Sequence, residues 1–429
     1  MFGFANFLLL ALFAAAVFDL IFALARGGGL RGALHGLWNT PHLLFGQQLA
    51  EWRLQLGRIL FAAGLAAYEI SVVFCNSMAR QNWAWVQGVM SPVLEWLAFL
   101  CFGAKILFGT RYTWRELLAG GALYFIARWV YFNSQNIWWI GIVVAVLAAK
   151  DVPLRRPLQV YFASGCAAMA VVLALHFAGI VAPDLTSERM GALRGTYGYG
   201  HPNTFGGLVF GLVLAYALLR AQKVRWVDCL LVFAVGVFLL VGPASRSAAL
   251  CTLALAVGLV FCRLRAGHSV PRWWPGTCAG MAGLTAAVSY LLPLLVIKVG
   301  PWNNDIGPAW LAKLDSLLTC RISLTWMAYR LLDVKIAGQV FNWPTVDNSF
   351  AFALFQFGPV VAALLGILFA AALWGHAKQG RRVEVCCLFA MLAYAYMEVQ
   401  SFHLTTNPTA LLLCGAVFAQ TSARWQKIE

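Results

Sequence analysis

The chain has 429 residues, of which 62% are hydrophobic and only 11% charged. Soluble domains are nearer half apolar and a quarter charged, so the composition excludes an ordinary soluble domain and points to a polytopic helical membrane protein. A net charge of +15 would suggest nucleic acid in a soluble protein; here the basic residues sit in short loops between apolar runs, where they fix topology, and no nucleic-acid partner is expected.

A spanning helix needs about 20 apolar residues. On that template the chain is expected to be all-α, with about 13 transmembrane helices near 4–25, 59–79, 86–108, 115–131, 136–150, 157–182, 203–221, 226–242, 248–264, 275–297, 349–374, 383–401 and 408–422. The first run lacks a basic leader and a cleavage site, so it reads as a helix rather than a removed signal. Residues 33–58 are amphipathic and are expected on the membrane surface. The fourth and fifth helices share a polar tip, Asn133-Ser134-Gln135-Asn136. Four regions follow: N-terminal helices (1–182), a central region with two polar motifs (183–297), a large loop (298–348) and C-terminal helices (349–429).

About two thirds of the 31 basic residues fall in one set of alternating loops, which should face the cytoplasm. The opposite set holds mixed chemistry. Its largest member, 298–348, carries Trp302, Asp305, Trp310, Lys313, Asp315, Arg321, Arg330 and Asp333. Within it, Ile306 to Leu332 has apolar residues at three- and four-residue spacing and predicts a helical cap. The 11 cysteines lie mostly within apolar runs without a CxxC, which favours buried apolar thiols over disulfides or metal ligands.

The most unusual stretch is Ala192 to Gly207, ALRGTYGYGHPNTFGG. It sets Arg194, Tyr197, Tyr199, His201 and Asn203 among glycines that permit positive φ and close approach of a substrate. The blander reading is a capping turn in which Pro202 starts a helix, Asn203 caps it and the histidine is incidental. Arg246, in Pro243-Ala244-Ser245-Arg246-Ser247, stands at a helix start with no carboxylate nearby in sequence. An arginine there marks a function, a partner or a snorkelling contact, and an anion would suit its place at the helix N-terminus. Asp347-Asn348-Ser349 precedes another helix, and Glu398, Gln400, His403 and Asn407 lie at the end of the twelfth. Glu398 could equally form a structural pair with an arginine. Asp19 and Arg128 are intramembrane, with no expected role beyond pairing.

Arg194, Arg246 and Arg321 together suit a diphosphate, because guanidinium forks bind phosphate bidentately and stabilise a leaving pyrophosphate. His201 could take a proton from an attacking hydroxyl. The sequence contains no HExxH, DxD, cysteine–histidine cluster or Walker motif, so neither metal nor other cofactor is expected and the substrate itself must carry the energy.

Four features in order are similar to the O-antigen polymerase and ligase superfamily: RGTYGYGHPNTFG before a helix, SRSA between two helices, an outer loop with an arginine, and VDNSFAFALFQFG closing that loop. The HPN and DNS forms look most like polysaccharide polymerases of Gram-positive bacteria. The resemblance covers roughly 185–405. It implies a GT-C-like bundle with an extracytoplasmic helical loop, in a bacterial plasma membrane. The implied reaction uses undecaprenyl-diphosphate-linked oligosaccharide on the outer face without metal, and a flippase and a chain-length regulator are the implied partners beside the bilayer. Arg194, Arg246 and Arg321 would hold the diphosphate, and His201 best matches the family's loop histidine. Tyr197, Tyr199, Asn203, Ser245, Asp347, Asn348, Glu398 and His403 complete the expected substrate site. Ligases place a histidine in the large outer loop, and residues 298–348 contain none. That favours a polymerase and leaves the base open among Asp347, Glu398 and His403. A ligase-type transfer to lipid, wall or protein is the alternative. A transporter of lipid-linked sugars is the further one, weakened by the lack of an internal repeat.

Overall fold

The computed structural model describes residues 2–26, 29–181, 187–189, 192–296, 308–342 and 345–418. Along the chain come α1 (Phe2–Ala25), α2 (Gly29–Asn39), α3 (Ala50–Cys75), α4 (Ala79–Asn82), α5 (Ser91–Phe108), α6 (Trp114–Ser134), α7 (Ile137–Ala148) and α8 (Arg155–Phe177). Then follow α9 (Pro202–Leu219), α10 (Trp226–Val241), α11 (Arg246–Leu264), α12 (Trp274–Leu291), α13 (Ala309–Leu317) and α14 (Arg321–Leu331). The last are α15 (Ser349–Phe352), α16 (Pro359–Lys378), α17 (Arg382–Met397) and α18 (Cys414–Val417). Two antiparallel strand pairs are the only sheet among the described residues: β1 (His42–Leu43) with β2 (Arg111–Tyr112), and β3 (Ser187–Arg189) with β4 (Ala192–Arg194).

Eight helices among the described residues are long and apolar enough to cross a membrane: α1, α3, α5 with the π-helical turn before it, α8, α9, α11, α12 with its 3₁₀ extension, and α16. The chain is therefore an all-α, multi-pass membrane protein. Its outward faces agree: Phe13 is 71%, Val227 70% and Val257 68% exposed, an apolar surface that suits lipid rather than water. The five other expected crossings also fall on helices. Of these, α6 carries Arg115, Glu116 and Arg128, whereas α7, α10 and α17 have 16 residues or fewer. The stretch 408–422 begins as a 3₁₀ turn and α18, and lies outside the described residues from 419.

Lipid supplies no hydrophobic force between helices, so close packing depends on small residues. Helices α3 and α5 approach closely, and a Cβ at Gly57 would lie 2.8 Å from the Gly109 Cα just beyond α5. Contacts at helix ends sort into two groups. At one end Met78 N–H donates to Gly198 O at 2.8 Å and Gln356 Nε2 to Ser134 O at 3.0 Å. At the other, Lys105 Nζ donates to Lys150 O at 2.6 Å and Arg382 Nη1 to Arg265 O at 2.8 Å. The loops that meet at each end alternate along the chain. The first group is called the polar end below, and the second the basic end.

Three local expectations change. The surface segment 33–58 loses its second part, because α3 starts at Ala50: no proline separates 50 from 59, Gly57 packs against Gly109, and Glu51 sits favourably in the first turn. The helix expected over 349–374 is broken at Gly358-Pro359, where Pro359, lacking an N–H, opens α16. The helix expected over 306–332 is two helices, separated at Thr319 and Cys320, both at positive φ. Its first residues, with Trp302 and Asp305, lie outside the described residues. Among the described cysteines none is in a disulfide. Asp19 meets His42 Nε2 at 3.2 Å, and Arg128 donates to Asn6, so both intramembrane charges are paired as expected.

Candidate functional site at the polar end

Four stretches far apart in sequence meet at one carboxylate. Glu398 Oε1 accepts from Asn203 Nδ2 at 3.1 Å, from Ser247 Oγ at 2.8 Å and from Arg321 Nη2 at 2.6 Å. Asn203 Oδ1 in turn accepts from Arg194 Nη2 at 3.0 Å, and the same nitrogen donates to Ala244 O at 3.1 Å. With an arginine on one side and a carboxylate on the other, the Asn203 amide can face only one way. The result is a continuous chain Arg194–Asn203–Glu398–Arg321, closed from beside by Ser349 Oγ donating to the Glu398 backbone carbonyl at 2.6 Å.

Local sequence explains how these side chains arrive. Arg194 ends β4, opposite Ser187. The chain then turns at Tyr197 and Gly198, with φ of 52° and 82°. The glycine suits that conformation, and the tyrosine is an uncommon occupant. His201 and Pro202 open α9, whose Gly206 and Gly207 share a face with Asn203 at three- and four-residue spacing. A Cβ at Gly206 would lie 2.3 Å from Ser245 Oγ, and one at Gly207 would lie 2.1 Å from Gln400 Oε1. These two glycines let α9 press against the start of α11 and the segment after α17, which is what brings Asn203 to Glu398. Arg321 is set by Asp315, which is fully buried at the end of α13. Asp315 accepts from Ile322 N–H at 2.7 Å, Ser323 N–H at 3.2 Å and Ser323 Oγ at 2.8 Å, capping α14 and placing its first residue, Arg321, inward.

The three expected phosphate-holding arginines do not stand alike. Arg246 is exposed at the first residue of α11. Arg194 is buried within the chain of hydrogen bonds. All five N–H groups of Arg321 are spent on the protein: Nε on Met397 O, Nη1 on Leu318 O at 2.9 Å and on Thr319 Oγ1, and Nη2 on Glu398 and on Ser247 Oγ at 3.3 Å. Arg321 thus braces Glu398, the structural pair that was the plainer reading of that carboxylate. The side chains are 8% and 7% exposed. Burial raises the Glu398 carboxyl above its ordinary value, while Arg321 and Ser247 work against the rise. A pair this buried holds geometry more than it adds net stability.

His201 departs from its expected role. It, rather than Asn203, caps α9: its Nδ1 accepts from Asn203 N–H at 3.1 Å. Desolvation, aided by Arg194 and opposed by Asp347, holds the imidazole below its ordinary pKa. The neutral ring with an accepting Nδ1 carries its proton on Nε2, so the free edge is a donor and not a base.

Tyr199 is fully buried, with its ring 5.6 Å from Phe205, and Tyr197 packs on Phe205 at 5.0 Å and Phe238 at 5.9 Å. Both rings pack within the bundle, Tyr199 buried and Tyr197 half-buried. Asn348 caps α15 through Phe350 N–H at 2.9 Å and donates to Ser289 Oγ at 3.0 Å, so its amide is occupied. Ser245 is buried, 3.5 Å from Asn203 Oδ1. His403 stacks against Trp138, ring centroids 4.2 Å apart, and burial pushes its pKa down to about 4; it stays neutral outside the Glu398 network. Asp347 is half-buried, and its charge acts on both His201 and Glu398. Among the described residues no side chain or backbone group hydrogen-bonds its carboxylate.

Sequence reasoning missed Ser247, Ser349 and Asp315 as the supports of this site. An aspartate shortly ahead of a helix start was the available signal for the last. The described residues contain no group of three or more His, Cys, Asp or Glu spaced to hold a metal ion. No protein-family model, curated protein or solved structure matches the chain.

Proposed function

We propose that the chain is a polysaccharide polymerase of the O-antigen polymerase and ligase type, joining oligosaccharide repeats linked to undecaprenyl diphosphate. In this reading the helices make about 13 crossings in a GT-C-like bundle of a bacterial plasma membrane, with the polar end outward. The observation that carries it is the convergence of the four resembling stretches on Glu398, with an exposed arginine beside them. Neighbouring motifs in a mere capping pattern would have no reason to meet in space.

In this reading the labour is divided differently from the sequence expectation. Arg246, with Arg194 behind it, meets the diphosphate, and the His201 Nε2–H donates to the same oxygens. The Arg321–Glu398 pair fixes the frame. Asp347 is the carboxylate left to act as base. A hydroxyl oxygen of one repeat forms a bond to the anomeric carbon of the other glycan. The anomeric carbon–oxygen bond to the diphosphate breaks, its electron pair leaves on the diphosphate, and the hydroxyl proton passes to Asp347. Charge grows on the leaving oxygen, where a preplaced guanidinium stabilises it.

Purified protein given lipid-linked repeats should yield a ladder of products. Arg246→Ala should slow it by at least about 100-fold, and Asp347→Asn by a comparable factor. A wild-type ladder from Arg246→Ala sinks the assignment. A single product on a new acceptor would move the reading to a ligase, and translocation without product to a transporter.

A further inference from the structure

The basic end holds two neighbouring cavities that the proposed reaction does not use. The first, of about 640 Å³, is bounded by three separate connections and the helix ends beside them, which bring Lys223, Arg225, Arg263, Arg381 and Arg382 around it. The second, of about 610 Å³, is lined largely by apolar side chains, among them Leu158, Leu218, Trp374 and Leu412. Arg381 and Glu384 line both, so the two voids share a wall. Each falls within the roughly 300–1,000 Å³ of a small-molecule site.

The charges here are not a solvated fringe of ion pairs. Glu384 is the single carboxylate lining the first cavity among the described residues, and it is buried within α17. Lys223, Arg263 and Arg381 have no carboxylate at ion-pair distance among the described residues. Arg382 is fixed differently, donating to the carbonyls of Arg265 at 2.8 Å and His268 at 2.5 Å. Basic residues that only set topology have no need to enclose a void. Here they converge from the C-terminal ends of α9, α11 and α16 and the connections after them onto one, and a greasy slot opens beside it. A phosphate joined to acyl chains has that same division of charge, and basic pockets between helices on the cytoplasmic side suit anionic headgroups.

We propose that the adjoining cavities form one site for an anionic phospholipid, the phosphate lying among Lys223, Arg263 and Arg381 and an acyl chain lying along Leu158, Leu218 and Leu412. The site is independent of the chemistry proposed at the polar end. It places a lipid as a wedge beside α9, α11, α16 and α17; of these, α9 carries Asn203, α11 carries Arg246 and α17 leads into Glu398 at the other end.

The test uses the full chain, purified in detergent and stripped of lipid, then titrated with phosphatidylglycerol or with phosphatidylcholine of the same acyl chains. Retained lipid is read by native mass spectrometry. Phosphatidylglycerol should bind with one dominant stoichiometry, and phosphatidylcholine at least tenfold more weakly. Arg263→Gln and Arg381→Gln should each weaken phosphatidylglycerol about fivefold, and the double change roughly 25-fold. Leu218→Trp, which fills the apolar slot, should weaken it while leaving the charges intact. Each variant is checked for a wild-type helical circular dichroism spectrum and a monodisperse elution. Should one fail, the other single arginine change and Leu218→Trp carry the test. Equal binding of the two lipids overturns the proposal, as does wild-type affinity in the double variant. Displacement by glycerol phosphate as effective as by phosphatidylglycerol, with Leu218→Trp silent, would mean a soluble phosphate site and also overturns it.

Discussion

The two ends of the bundle use the same residue type in opposite ways. At the polar end arginines are drawn into a closed hydrogen-bonded chain: Arg194 and Arg321 lie on either side of Asn203 and Glu398, largely out of solvent. At the basic end Arg263 and Arg381 border a void, with no carboxylate at ion-pair distance among the described residues. A buried guanidinium must have every donor matched, because each unmet one is costly. A guanidinium at a wet cavity can wait for an anion. The difference teaches that the count of arginines on a face says little about function, and that the fate of their donors says more. By that measure the polar end is a rigid frame with one solvent-exposed arginine, Arg246, beside it, and the basic end is a receptive surface.

The sharpest way to break this contrast is to remove one arginine from each end. Arg321→Ala leaves Glu398 buried without its counter-charge and should cost roughly 3–5 kcal/mol of stability. Arg381→Ala, which breaks no ion pair, should fall within about 0.5 kcal/mol of wild type. Thermal unfolding in one detergent compares them, and equal shifts would erase the distinction between frame and receptive surface.

A smaller effect tests the cap at the polar end. The His201 imidazole must be neutral at Nδ1 to accept from Asn203 N–H, and its pKa is held below the ordinary 6.5. A lowered folded-state pKa means that the unfolded chain takes up the proton first. The stabilisation is therefore full above about 6.5 and is lost as pH falls through the lower, folded-state value. His201→Ala should cost about 1 kcal/mol at pH 7.5. His201→Asn should keep most of the cap and remove this part of the acid dependence. A wild-type pH slope in His201→Asn would assign that dependence to other groups. The smallest change expected is Tyr199→Phe. Its hydroxyl is buried without a partner among the described residues, so removal should leave stability within about 0.5 kcal/mol and leave product formation unchanged. A large loss of product would return Tyr199 to the substrate site.

Much of this was legible in the residues. Long apolar runs announce spanning helices, and α1, α8, α9, α11 and α12 fall close to where hydropathy puts them. The polar clustering around Arg194, Arg246, Arg321 and Glu398 was also visible, because charge in so apolar a chain needs a reason. Partners were not legible. Nothing in the sequence says that all the Arg321 donors are spent, since Met397, Ser247 and Glu398 arrive from distant segments. The histidine's tautomer was hidden for the same reason: it depends on one backbone N–H two residues away. The cavities at the basic end were hidden too, because periodicity and spacing describe surfaces along one element, whereas these voids lie between several.

The most direct measurement is a density map of the full chain with a lipid diphosphate bound. The account predicts diphosphate density at the polar end, in contact with Arg246, with the Arg321–Glu398 bond intact and Asp347 facing the sugar-bearing carbon. Diphosphate lodged instead among Arg263 and Arg381 at the basic end, with Arg246 untouched, would contradict it.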